Sequence, residues 1–222
     1  MILSLIAALT LAGQEAPPLP PAVCADSERA ADLECKAQAE VRTGNYGAAA
    51  AHFLTIANNA TDPGAKARAY AAAAPLLSVA GELDRAQEIA AAALAFNALG
   101  PQQAGWTMID RAQALFRLDR VAEAETQWAR AAELIAPDPY YWWTGASMAL
   151  QAGDLAAANE RVEAGLERAD DAPELHLLKG QIRLAEGDTT GARAAFSAAV
   201  EAQPGHDAAL AAARALAALN AE

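Results

Sequence analysis

Gly187-Asp188-Thr189-Thr190-Gly191-Ala192-Arg193-Ala194-Ala195-Phe196 reads as a tight turn running into a helix, and Gly153-Asp154-Leu155-Ala156-Ala157-Ala158-Asn159-Glu160-Arg161-Val162 repeats it. In both, an alanine follows the turn glycine by five residues and a bulky residue follows that alanine by four. Working outward, the same turn recurs at Gly44-Asn45-Tyr46, Gly81-Glu82-Leu83 and Asp119-Arg120-Val121. Successive turns stand 37, 38, 34 and 34 residues apart, within the period range of helical solenoids. The chain is therefore expected to be all-α, built of about five helix-turn-helix copies.

Composition agrees. With roughly 30% alanine, few aromatic residues and no period-2 run of Val, Ile and Thr, the sequence favours closely packed helices over strands. The net charge of −12 and pI near 4.7 argue against nucleic-acid binding, since the sixteen Lys and Arg are scattered rather than clustered. An acidic surface keeps the chain soluble and can steer basic partners.

Residues 1–12 are apolar, no charge occurs before Glu15, and Pro17-Pro18-Leu19-Pro20-Pro21 follows. Residues 1–12 are expected to form a signal peptide cleaved after Ala12, and 13–26 a Pro-rich segment, which places the chain in the periplasm or outside the cell. The alternatives are a cytoplasmic protein or one retained by an uncleaved N-terminus; the run is too short for a stable membrane span. Cys24 and Cys35 are the only cysteines, and either a disulfide or two free thiols fits the spacing. On one continuous helix their Cα atoms would stand roughly 16 Å apart, so a bridge requires the chain before Ser27 to fold back. Asp26 or Ser27 is the expected N-cap of the first helix.

The repeated residues carry a resemblance to the tetratricopeptide repeat (TPR) family. The small helix A residue of that family is matched by Ala37, Ala74, Ala112, Ala146 and Gly180. The first helix B position is matched by Ala49, Ala86, Ala124, Ala158 and Ala192, each followed by Phe53, Ala90, Trp128, Val162 and Phe196. The second is matched by Ala93, Ala131, Gly165 and Ala199, with Ile56 the exception. The resemblance implies a right-handed α-solenoid over residues 27–206, and a capping helix is expected in 207–222 with Asp207 as its N-cap. Pro75 is expected to kink the second copy, and residues 58–64 and 97–101 to act as hinges.

Searching for chemistry gives little. His52, His176 and His206 stand singly, and His176 reads as structural. Gly145-Ala146-Ser147-Met148-Ala149 lies mid-helix, where a nucleophile elbow cannot form. The expectation is a non-enzyme without metal or cofactor. In the TPR family the concave groove is lined by helix A residues facing away from helix B. The resemblance puts Glu34, Gln38 and Arg42 there in the first copy, and Arg68, Ala71 and Ser78 in the second. The partner-binding groove proper would comprise Trp106, Ile109, Gln113 and Phe116 in the third copy, Tyr140, Trp143 and Ser147 in the fourth, and Leu177, Gln181 and Leu184 in the fifth. Trp142 matches the family's packing tryptophan and is expected in the core. These positions lack the Lys, Asn and Arg set that grips a chaperone's C-terminal carboxylate. The implied function is a protein-protein interaction adaptor or scaffold for a peptide or protein partner. The alternative is a structural subunit of a cell-envelope complex that uses its aromatic face for self-association.

Overall fold

The computed structural model describes residues 24–220, so the expected signal peptide, 1–12, and the prolines at 17–21 lie outside the described residues. The described residues form helices α1 (Ala30–Arg42), α2 (Tyr46–Asn59), α3 (Pro63–Val79), α4 (Leu83–Ala95), α5 (Pro101–Arg117), α6 (Val121–Ile135), α7 (Pro139–Gln151), α8 (Leu155–Leu166), α9 (Pro173–Ala185), α10 (Thr189–Ala202) and α11 (Asp207–Leu219). None of these is long and apolar enough to cross a membrane. The chain divides into two compact units between Ala136 and Pro137, rather than at the expected hinges 58–64 and 97–101.

Each copy turns on one residue in the left-handed region: Gly44 at φ 76°, Gly81 at 85°, Gly153 at 79° and Gly187 at 80°. Asp119 holds the equivalent place at φ 61°, a conformation that Asp and Asn tolerate better than other side-chain-bearing residues. The helix after the turn is then capped where an Asp follows the glycine. Asp154 accepts from Ala157 N at 2.9 Å and Asp188 from Gly191 N at 2.8 Å.

In the unit of residues 24–136, α1 to α6 pack in sequential pairs, and the small residues Ala37, Ala49, Ala74, Ala86, Ala90, Ala112, Ala124 and Ala131 are all buried. Helix α3 continues through Pro75, whose missing N–H and ring are accommodated within the helix rather than ending it. Leu33, Ile56, Ala57 and Ala69 form a small core covered by Phe53 and Tyr70.

The start of α1 departs from expectation. Arg29, not Asp26 or Ser27, is its N-cap, and it caps through no side chain. Ser27 instead donates to the Asp32 carboxylate, and Arg29 Nε donates to the same group at 2.8 Å. Residues 24–29 fold back along α1, which brings the Cys24 and Cys35 Cα atoms to 5.7 Å and closes a disulfide. Lys36 pairs with Asp26 at 3.0 Å along the same return. A bridge over this short loop stabilises by restricting the unfolded chain, by about 3 kcal/mol. Cys24→Ser is expected to lower unfolding stability by up to that amount, and denaturation with and without reductant checks it: native protein under reductant should coincide with the variant.

In the unit of residues 137–220, Ala146, Ala158, Val162, Leu175, Leu178 and Ile182 form one core cluster, and Ala192, Phe196, Ala199 and Ala212 another. Glycines set the helix spacing. A Cβ on Gly165 would lie 2.7 Å from Trp142 Cβ and 2.9 Å from Leu175 Cδ1. Helix α11 packs on α9 and α10 as the expected cap, though its N-cap is His206 rather than Asp207, with Nδ1 accepting from Ala208 N at 3.2 Å.

Candidate interaction site

The groove residues expected from sequence fall on both units, and each unit presents its own surface. In the first, Glu34, Gln38, Arg42 and Arg68 lie at least partly exposed, whereas Ala71 and Ser78 are buried. Helix α5 carries Trp106, Gln113 and Phe116 half-buried. Ile109, placed in the groove by the sequence, is 1% exposed and belongs to the core. It stands four residues after Gly105 and three before Ala112, both buried, and so lies on the stripe that α5 turns into the core of its own unit.

Two residues of α5 escaped the sequence reading. Arg117 donates to the Ser78 carbonyl at 2.7 Å and so ties the end of α5 to the last turn of α3. Asp110 lies one turn after Trp106 and one turn before Gln113, and burial alone pushes its carboxyl from 3.8 up to about 7. An Asp in a chain with twenty-eight acidic residues gives no signal of burial.

In the second unit the aromatic run 140–143 at the head of α7 separates into roles. Pro139 opens the helix and Asp138 caps it, accepting from Tyr140 N at 2.9 Å. Tyr141, not Trp142, is the fully buried aromatic residue. Trp142 is half-buried: its Cβ packs over Gly165, its ring meets Tyr141 edge-on at 5.0 Å, and Arg168 covers the ring at 4.7 Å. Tyr140 and Trp143 turn the other way and stack at 5.3 Å with 18° between their planes. Tyr140 is 37% exposed, while Trp143 also rests against the α7-α8-α9 core.

Ser147 follows one turn on and accepts from the Gln151 amide at 3.2 Å. On α9, Gln181 and Leu184 are exposed, whereas Leu177 is drawn into the cluster beneath α11. His176, as expected, is structural: its Nε2 donates to the Asp170 carbonyl at 2.6 Å and holds the α8-α9 loop. That loop and the heads of α7 and α9 enclose a cleft of about 290 Å³ walled by Tyr140, Trp143 and Leu175.

Five turns in one backbone conformation, each followed by a buried small residue in a paired helix, decide the fold. This chain has the tetratricopeptide repeat fold. Solved TPR structures superpose on it over most of its length. TTC0263, a thermophilic TPR protein from Thermus thermophilus, does so at TM-score 0.66 with 17% identity, covering 87% of this chain and 100% of that one. YrrB, a TPR protein with an unusual peptide-binding site, does so at TM-score 0.55 with 20% identity, covering 85% and 94%. MamA follows at TM-score 0.59 with 14% identity, covering 75% and 93%. At these identities the likeness is one of fold. The sequence matches no protein-family model and no curated protein.

Proposed function

We propose that this chain is a non-catalytic adaptor that binds a peptide or protein partner on the helix A surfaces of its two units. The observation that carries this reading is the stacked Tyr140-Trp143 pair beside a cleft, with exposed Leu184 on the neighbouring helix A. Aromatic side chains presented in this way supply most of the energy in protein interfaces. Trp106, Gln113 and Phe116 give the first unit a smaller surface of the same character. The peptide-binding site of YrrB, on the same fold, supports the reading by analogy.

We further propose a periplasmic or secreted location. The Cys24-Cys35 disulfide supports it, because such bridges persist in oxidising compartments.

The test is cross-linking capture from cells expressing the full chain, with Tyr140→Ala/Trp143→Ala as the matched control and circular dichroism as the check on folding. Recovery of a distinct partner should fall at least tenfold in the variant. Equal recovery by both chains would remove the surface from consideration. Capture of further copies of this chain alone would instead support the self-associating subunit.

A further inference from the structure

Resting on the adaptor reading, we propose that the cleft at the heads of α7 and α9 receives the cationic side chain of a lysine or arginine on the bound peptide. Tyr140 and Trp143 form its aromatic wall, and Asp138, Asp171 and Glu174 stand around it. Tyr140 is 37% exposed and lines the cleft together with Trp143, and a cation beside an aromatic ring is attracted by the ring quadrupole.

The charge balance decides which guest fits. Two helix N-termini meet here and contribute about half a positive charge each, which alone would favour an anion. Three carboxylates outweigh them. Asp138 accepts from Tyr140 N as the cap of α7, and Glu174 faces His206 Nε2 at 3.3 Å. Among the residues lining the cleft there is no Lys or Arg. The nearby cations are committed elsewhere: Arg168 lies over Trp142, Lys179 pairs with Glu163 at 2.8 Å, and Arg183 pairs with Glu186 at 3.0 Å. Residues 137–220 hold twelve Asp and Glu against six Lys and Arg, so the surrounding field also draws a basic segment towards the cleft.

A long, thin side chain suits the space. At about 290 Å³ the cleft is at the small end of ligand sites, adequate for one side chain rather than a folded element. A phosphorylated or acidic peptide is excluded by the same carboxylates.

The experiment titrates the full chain with the acetylated, amidated peptide Gly-Ser-Arg-Ser-Gly and with its citrulline counterpart, which keeps the shape and removes the charge. Trp143 indole and backbone amide shifts are followed by NMR. The arginine peptide is expected to move the Trp143 and Tyr140 signals and to bind at least tenfold more tightly than the citrulline peptide. Asp171→Asn/Glu174→Gln should abolish that preference while leaving the thermal unfolding midpoint nearly unchanged. Equal binding of both peptides, undiminished binding by the double variant, or no shift at millimolar peptide would each overturn the cation site. None of these results touches the capture experiment, so the adaptor reading would stand if capture still depended on Tyr140 and Trp143. Peptide selectivity without any captured partner would count against the adaptor reading alone.

Discussion

Phe196→Ala is expected to destabilise the unit of residues 137–220 by about 3–5 kcal/mol, a large share of the roughly 5–15 kcal/mol that holds a typical domain together. The Phe196 ring is 1% exposed and fills the space between α9, α10 and α11. Its position is dictated by Gly180: a Cβ there would lie 2.8 Å from Phe196 Cζ and closer still to two other ring carbons. Gly180→Ala is therefore also destabilising on its own, by about 1–3 kcal/mol, because a rigid buried ring cannot give way. Combining the two changes should reverse that sign. With the ring gone the three atoms nearest the new methyl are removed, and alanine's better helix propensity adds back about 1 kcal/mol. Urea denaturation of the four chains closes the cycle: the double variant should be more stable than Phe196→Ala. Two simply additive losses would show that glycine and ring do not define each other's place.

This pair also shows which part of the fold is legible in sequence. A turn that needs a left-handed residue and a helix crossing that needs a missing side chain both leave a residue-type signature at a fixed spacing. Gly187, Ala192 and Phe196 could thus be placed from the sequence, and so could Gly165 and Gly180. Which side of a helix ends up covered is a different matter, because it depends on the stripe that helix turns inward and on its neighbours. Copying the groove positions from one repeat to the next assumes the same stripe and equal neighbours. On α5 a copied position falls on the wrong stripe: Ile109 lies with Gly105 and Ala112, both buried, although α5 has no more neighbouring helices than α3. Leu177 is half-buried because of a neighbour the other copies lack, since the capping helix α11 packs beside it. In the aromatic run 140–143, composition announced an apolar site but could not assign the four rings. A helical step of about 100° separates adjacent residues, so Tyr141 enters the core while Tyr140 and Trp143, three apart, share the outer face. The disulfide was undecidable at the same level: spacing on one helix forbids it, and only the return of residues 24–29 permits it.

Asp110→Asn is expected to stabilise the unit of residues 24–136 at pH 8 by up to about 4 kcal/mol and to change little at pH 4. The native Asp110 carboxyl titrates at about 7, against 3.8 when unperturbed, and the cause is burial without a compensating charge. A folded-state value raised above the unfolded one means that the folded chain holds the proton more tightly. The contribution of the neutral carboxyl is thus complete below about pH 4, declines as the pH rises towards 7, and is gone above it. At about 1.4 kcal/mol per pH unit that interval corresponds to the figure given. Asp32 acts in the opposite sense: its hydrogen bonds from Ser27 and then Arg29 hold its carboxyl below the usual range, so its contribution is lost only on acidification. Comparing the variant with native protein across pH 4–8 cancels Asp32 and isolates Asp110. Parallel stability curves for the two chains would show that the carboxyl is not buried as described.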